Sequence, residues 1–160
     1  MKESMDTAGL TQAEIEAIEE EISHYEDKSA ASIEALKIVQ KHRGWVSDDN
    51  LKAIAAILEM SPAELDGVAT FYNLIYRQPV GDNVIHYCNS VSCWVMGSDK
   101  VCQKLCERLN IKLGETTPDN RYTLLPIVCL GACDHAPTLM VNEDLYHDVD
   151  DAKIDQILGL

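Results

Sequence analysis

Six cysteines are the residues of this chain best suited to chemistry, and all of them fall between Cys88 and Cys133. Four form two spaced pairs, Cys88-x4-Cys93 and Cys129-x3-Cys133, each expected on a loop just after a short β-type run. Four thiolates with no other ligand suit either an iron–sulfur cluster or zinc. Structural zinc sites favour tight C-x2–4-C knuckles on both sides. A 2Fe–2S rhomb is larger and takes two ligands on each iron, so wider and unequal loops are tolerable. Spacing therefore puts iron–sulfur first, zinc second and unmetallated thiols third. Between the second pair stand Leu130-Gly131-Ala132, small enough for backbone N–H groups to approach the sulfurs.

The other two cysteines read differently. Cys102 and Cys106 fall at i and i+4 on a predicted helix, beside the stripe Val101, Leu105 and Leu109. Free cysteine behaves as a small hydrophobe, so both are expected in the core and not as ligands. His86 shares a strand face with Cys88, and His135 follows Cys133, but four cysteines already complete a cluster shell. His24, His42 and His147 read as surface or half-buried residues. Trp94, next to Cys93, is expected to pack more than to shield a cluster or meet a partner. Trp45 is expected to wedge between helices. There is no G-x-G-x-x-G after a strand, no P-loop, no C-x-x-C redox pair and no recognisable catalytic pair of acids.

These thiols need elements to carry them. In the first half, Thr11 with Glu14 forms a capping box ahead of Ile15, Ile18 and Ile22. A second helix carries Ile33, Leu36 and Val39 and stops at Gly44. A third starts near Ser47 with Leu51, Ile54, Ala55 and Leu58 on one face. A fourth opens at Ser61-Pro62-Ala63-Glu64, with Leu65, Val68 and Phe71 expected on its buried side. Four short amphipathic helices make a small bundle over residues 11–78, after a flexible stretch at 1–10. Gln78-Pro79-Val80-Gly81-Asp82 marks a boundary. Beyond it, over 83–160, strands are predicted at 84–87, 122–128 and 138–141, with helices over about 98–110 and 150–158. A further short strand is expected over 145–149. The order β-α-β-β-α suggests a thioredoxin-like α/β sandwich, so the chain as a whole is α+β.

The apolar fraction is 46%, which argues against disorder. The net charge is −14, with 7 basic against 15 acidic residues in 1–80 and 6 against 12 in 81–160. An acidity spread this evenly disfavours nucleic acid and anionic lipid as partners. No apolar run approaches the roughly 20 residues of a membrane span, and the first residues lack a secretory h-region. Reduced thiols in an intracellular protein follow.

Several stretches carry a resemblance: Ala31-Ser32-Ile33-Glu34-Ala35-Leu36, Gly67-Val68-Ala69-Thr70-Phe71-Tyr72, Cys88-Asn89-Ser90-Val91-Ser92-Cys93, Leu124-Leu125-Pro126, and Cys129-Leu130-Gly131-Ala132-Cys133 followed by Ala136-Pro137. From about Thr11 to the C-terminus the chain resembles the family of thioredoxin-like 2Fe–2S subunits of bacterial NADH:quinone oxidoreductase (complex I). That resemblance implies one 2Fe–2S cluster on Cys88, Cys93, Cys129 and Cys133, and no catalytic residue of the chain's own. It implies electron transfer from FMN, with FMN and NADH held by a partner subunit and the remaining peripheral-arm subunits reached through it. The expected location is cytoplasmic, on the inner face of the inner membrane without insertion. The equivalent subunit of an NAD-linked hydrogenase or formate dehydrogenase is the first alternative. A zinc-stabilised binding module and a thiol oxidoreductase follow.

Overall fold

The computed structural model describes residues 9–159. Residues 1–8 of the stretch expected to be flexible lie outside the described residues. The chain falls into two compact units divided between Pro79 and Val80.

Among the described residues the first unit has four helices: α1 (Gln12–Ile22), α2 (Ser32–Arg43), α3 (Asp48–Ile57) and α4 (Pro62–Phe71), with a 3-10 turn at Lys28–Ala31 leading into α2. Their starts follow from side-chain chemistry. Thr11 and Ser61 each accept from the amide three residues on, and Glu14 and Glu64 return the bond to the cap backbone. Ser47 caps α3, and Gly44 ends α2 in the left-handed conformation that glycine adopts without strain. The core gathers Ile18, Leu36, Val39, Leu51, Ile54, Leu58 and Leu65, all buried. Glu14 is buried among them at 1% exposure, because Arg43 at the end of α2 holds both its oxygens at 2.7 and 2.6 Å. Phe71 departs from expectation: it is 77% exposed. Leu65 and Ala69 are the buried residues of α4, spaced i and i+4, and Phe71 falls off that line. The segment after α4 is tied down by Gln40, whose side chain donates to Leu74 O and accepts from Tyr76 N.

Among the described residues the second unit is a four-stranded sheet with three helices. The strands are β1 (Asn83–Cys88), β2 (Tyr122–Ile127), β3 (Leu139–Val141) and β4 (Asp144–Tyr146), in the order β2-β1-β3-β4. β1 runs parallel to β2 and antiparallel to β3, and β3 to β4 is an antiparallel hairpin. The fourth strand sits slightly earlier than expected, because Asn142 takes the left-handed conformation and turns the chain directly after Val141. The helices are α5 (Val91–Val95), α6 (Ser98–Leu109) and α7 (Asp151–Leu158). Ile85, Val101, Leu105, Leu124, Leu139 and Ile154 form the core between sheet and helices. On the outer side of β2, residues 114–117 bond to Tyr122 and Leu124, with Gly114 N to Leu124 O at 2.8 Å and Thr117 N to Tyr122 O at 2.8 Å. Together the units give the mixed helix-and-sheet architecture expected of the chain.

Candidate metal centre

Register decides where the thiols meet. β1 ends at Cys88, which lies opposite Ile127, the last residue of β2. Cys129 follows two residues later, so both thiol pairs leave the same end of one parallel strand pair. The first pair does not sit wholly on a loop, as the sequence suggested. Cys88 belongs to β1, and Cys93 belongs to α5, a one-turn helix that five residues without strong periodicity could not announce. Cys133 opens a 3-10 turn, Cys133–His135.

Cys88 and Cys93 share one buried cluster with Ala136, and the sulfurs of Cys129 and Cys133 lie 3.3 Å apart. That distance is far beyond the about 2.05 Å of a disulfide. It approaches the roughly 3.7 Å between two thiolates on one tetrahedral ion with metal–sulfur bonds of about 2.3 Å. Among the described residues no three His, Cys, Asp or Glu side chains surround a single ion-sized point. The thiols stand as two pairs in sequence, the arrangement that two cysteines on each of two irons would require.

The pairs differ in environment. Cys88 and Cys93 are each 1% exposed, against Ala136 and Leu130, whereas Cys129 and Cys133 are exposed. Burial pushes the Cys88 thiol up, opposed by bonds from the amides of Ser90 and Leu130. The Gly131 amide, 3.4 Å from the Cys129 sulfur, brings that thiol down. Its bond with Cys129 raises Cys133, while the Ser92 side chain works the other way. Thr138 adds a hydroxyl 3.4 Å from the Cys93 sulfur. Neither Ser92 nor Thr138 stood out in the sequence, since a lone hydroxyl carries no spacing signal.

A family model for the thioredoxin-like [2Fe-2S] ferredoxin matches residues 18–160. The chain belongs to that family. It is 54% identical over 149 residues to the E subunit of the NADH-quinone oxidoreductase of Buchnera aphidicola from Acyrthosiphon pisum, covering 93% of this chain and 92% of that one. The corresponding NADH-quinone oxidoreductase chain of Escherichia coli K12 is 52% identical over 93% of this chain and 90% of its own. Near end-to-end likeness at this level puts the chain among the NADH-quinone oxidoreductase members of the thioredoxin-like ferredoxin family. A crystal structure of an NAD+-reducing [NiFe]-hydrogenase in the air-oxidised state matches with a TM-score of 0.68 and 25% identity, over 81% of this chain and 22% of that one.

The remaining candidates of this ferredoxin divide cleanly. Cys102 and Cys106 are half-buried and pack on the sheet–helix core, apart from the thiol pairs' own apolar cluster. His86 is fully buried in β1, and its ring is held well below the usual histidine range, at about 4, by that burial. His135 turns its Nδ1 to Asp148 Oδ2 at 3.2 Å. Trp94 contradicts the packing expectation. It is 59% exposed, with Val91, Val95 and Met96 beside it also exposed. α5 is too short to bury two faces, and Cys93 takes the inner one. No described helix is long and apolar enough to cross a membrane.

Proposed function

We propose that this chain is the 2Fe–2S electron-transfer subunit of an NADH:quinone oxidoreductase, receiving one electron from the FMN of a partner subunit that also binds NADH. The carrying observation is the parallel pairing of β1 and β2, which delivers both thiol pairs to one end of the sheet. Cys88, Cys93, Cys129 and Cys133 are the proposed ligands. When bound, the cluster supplies a site for one electron at a time. Cys88 and Cys93 hold their half away from water, and Cys129 and Cys133 hold theirs at the surface. The amide of Gly131 donates to the Cys129 sulfur, and the Thr138 hydroxyl can only donate to Cys93 once that residue is a thiolate ligand, so both favour added negative charge. The chain's net charge of −14 opposes it, with screening over about 8–10 Å limiting the distant residues.

In this reading the helical unit over 11–78 docks the subunit and the unit over 83–160 carries the cluster. The protein sits on the cytoplasmic side of the inner membrane within the peripheral arm, and it has no active site of its own. The structural likeness to the hydrogenase chain supports a second reading, the equivalent subunit of an NAD-linked hydrogenase. Co-purification of the native complex separates the two by its partner.

The test is the full chain purified without oxygen, with iron and sulfide analysis and EPR after dithionite reduction. Two irons, two sulfides and a rhombic S = 1/2 signal are expected. The signal should vanish in Cys88→Ser and Cys129→Ser and persist in Cys102→Ser. A colourless protein holding one zinc would overturn the proposal.

A further inference from the structure

The segment from Cys133 to Thr138 runs between the two thiol pairs, and its free side is gripped from the connection between β4 and α7. Asp148 makes the grip at two points on one residue. Its amide donates to His135 O at 2.8 Å, and its carboxylate accepts from His135 Nδ1 at 3.2 Å. The next amide, Val149 N, donates to Pro137 O at 2.9 Å. Asp148 achieves this in the left-handed conformation, φ 48°, which Asp and Asn tolerate better than other non-glycine residues. On the other side Thr138 O accepts from Cys88 N at 3.2 Å, and its hydroxyl meets the Cys93 sulfur. The His135 ring also stands edge-on to His147, with centroids 5.1 Å apart.

We propose that Asp148 is a positioning residue for Cys133, fixing the exposed half of the thiol set against the buried half. The inference rests on the cluster reading above. The physical need is specific. Cys133, Asp134 and His135, the three residues of the turn, are all exposed, so the buried Ala132 and Ala136 anchor its ends but no packing holds the Cys133 side chain itself. The clamp substitutes fixed hydrogen bonds for a packed wall. An exposed hydrogen bond of this kind contributes little stability, so the Asp148 side chain acts on the geometry of one sulfur more than on the fold.

The experiment compares the reduced, cluster-loaded full chain with Asp148→Ala and Asp148→Asn, reading EPR linewidth and the rate of iron loss to a ferrous chelator. Asp148→Ala should broaden the rhombic signal and release iron severalfold faster, with thermal unfolding lowered by no more than alanine costs in the left-handed turn. Asp148→Asn keeps the left-handed turn and an acceptor for Nδ1–H, and it should restore both readouts. Wild-type linewidth and release rate in Asp148→Ala would overturn the proposal, as would an Asn variant that behaves like Ala. Should Asp148→Ala fail to fold, His135→Ala removes the side-chain bond alone and must speed iron loss, or the proposal fails. A wild-type chain that assembles no 2Fe–2S cluster sinks the electron-transfer reading itself. A loaded wild type with an indifferent Asp148→Ala sinks only the clamp.

Discussion

Thr138 addresses both members of the buried thiol pair: its hydroxyl lies 3.4 Å from the sulfur of Cys93, while its carbonyl takes the amide of Cys88. Thr138 is 2% exposed, so no water competes for that hydroxyl. A donor on a ligand sulfur stabilises the more negative, reduced state. If that difference is about 1 kcal/mol, the midpoint potential falls by about 40 mV in Thr138→Val and stays near wild type in Thr138→Ser. EPR-monitored redox titration reads both, and an unshifted Val variant would show that the hydroxyl donates elsewhere.

Glu14 makes the helical unit sensitive to acid. Its carboxyl is held down to about 2, first by the hydrogen bonds from Arg43, with further help from Thr11 and against the cost of burial. A carboxylate depressed in the folded state contributes stability that is complete above its unfolded pKa of about 4.5 and lost as pH falls toward 2. The contribution is about 3 kcal/mol. Arg43→Met leaves a buried charge unpaired, so it should cost about 3–5 kcal/mol at pH 7 and flatten the profile below pH 5. Trp45 fluorescence in a Trp94→Phe background reports this unit. A steep acid limb surviving in Arg43→Met would refute the assignment.

The cysteines should separate by reactivity in the metal-free chain. Thiolate is the reactive form. Burial pushes Cys102 up to about 11, whereas Cys129 is exposed and lowered by the Gly131 amide. Brief iodoacetamide treatment at pH 8, read by peptide mass spectrometry, should label Cys129 well before Cys102. Equal labelling would contradict the half-buried placement of α6's thiols.

Gly81 has no room for a side chain. A Cβ there would meet Asn120 O at 2.9 Å and Tyr122 N at 3.0 Å, both backbone atoms. The Gly81 amide also donates to Thr123 Oγ1 at 2.7 Å. Gly81→Ala should destabilise the sheet unit by about 1–3 kcal/mol, measured by denaturant unfolding with Trp94 as probe. An unchanged midpoint would mean that the strands shift freely there.

Much of this was legible from residue order, for identifiable reasons. The boxes Thr11–Glu14 and Ser61–Glu64 and the stop at Gly44 are local chemistry, and all three stand where the pattern put them. The two thiol pairs could be placed at strand ends from spacing, because Cys88 closes β1, Cys129 follows β2, and the two strands are neighbours. What escaped was short or depended on partners in space. α5 is five residues, too few for a period to show. Phe71 and Trp94 are large and apolar, which predicts burial in general but not which face a helix turns inward. Asp148 gave no hint at all, since its role exists only through His135 thirteen residues away.

The outer edge of β2 is already partly occupied. The segment 114–117 occupies the outward bonding positions of Tyr122 and Leu124, and the next outward position in that alternation is Pro126, which has no N–H to offer. The far edge, β4, is three residues long and opens with Asp144. Among the described residues both margins of the sheet carry features that disfavour templating another strand, which opposes edge-to-edge pairing of copies of this acidic chain.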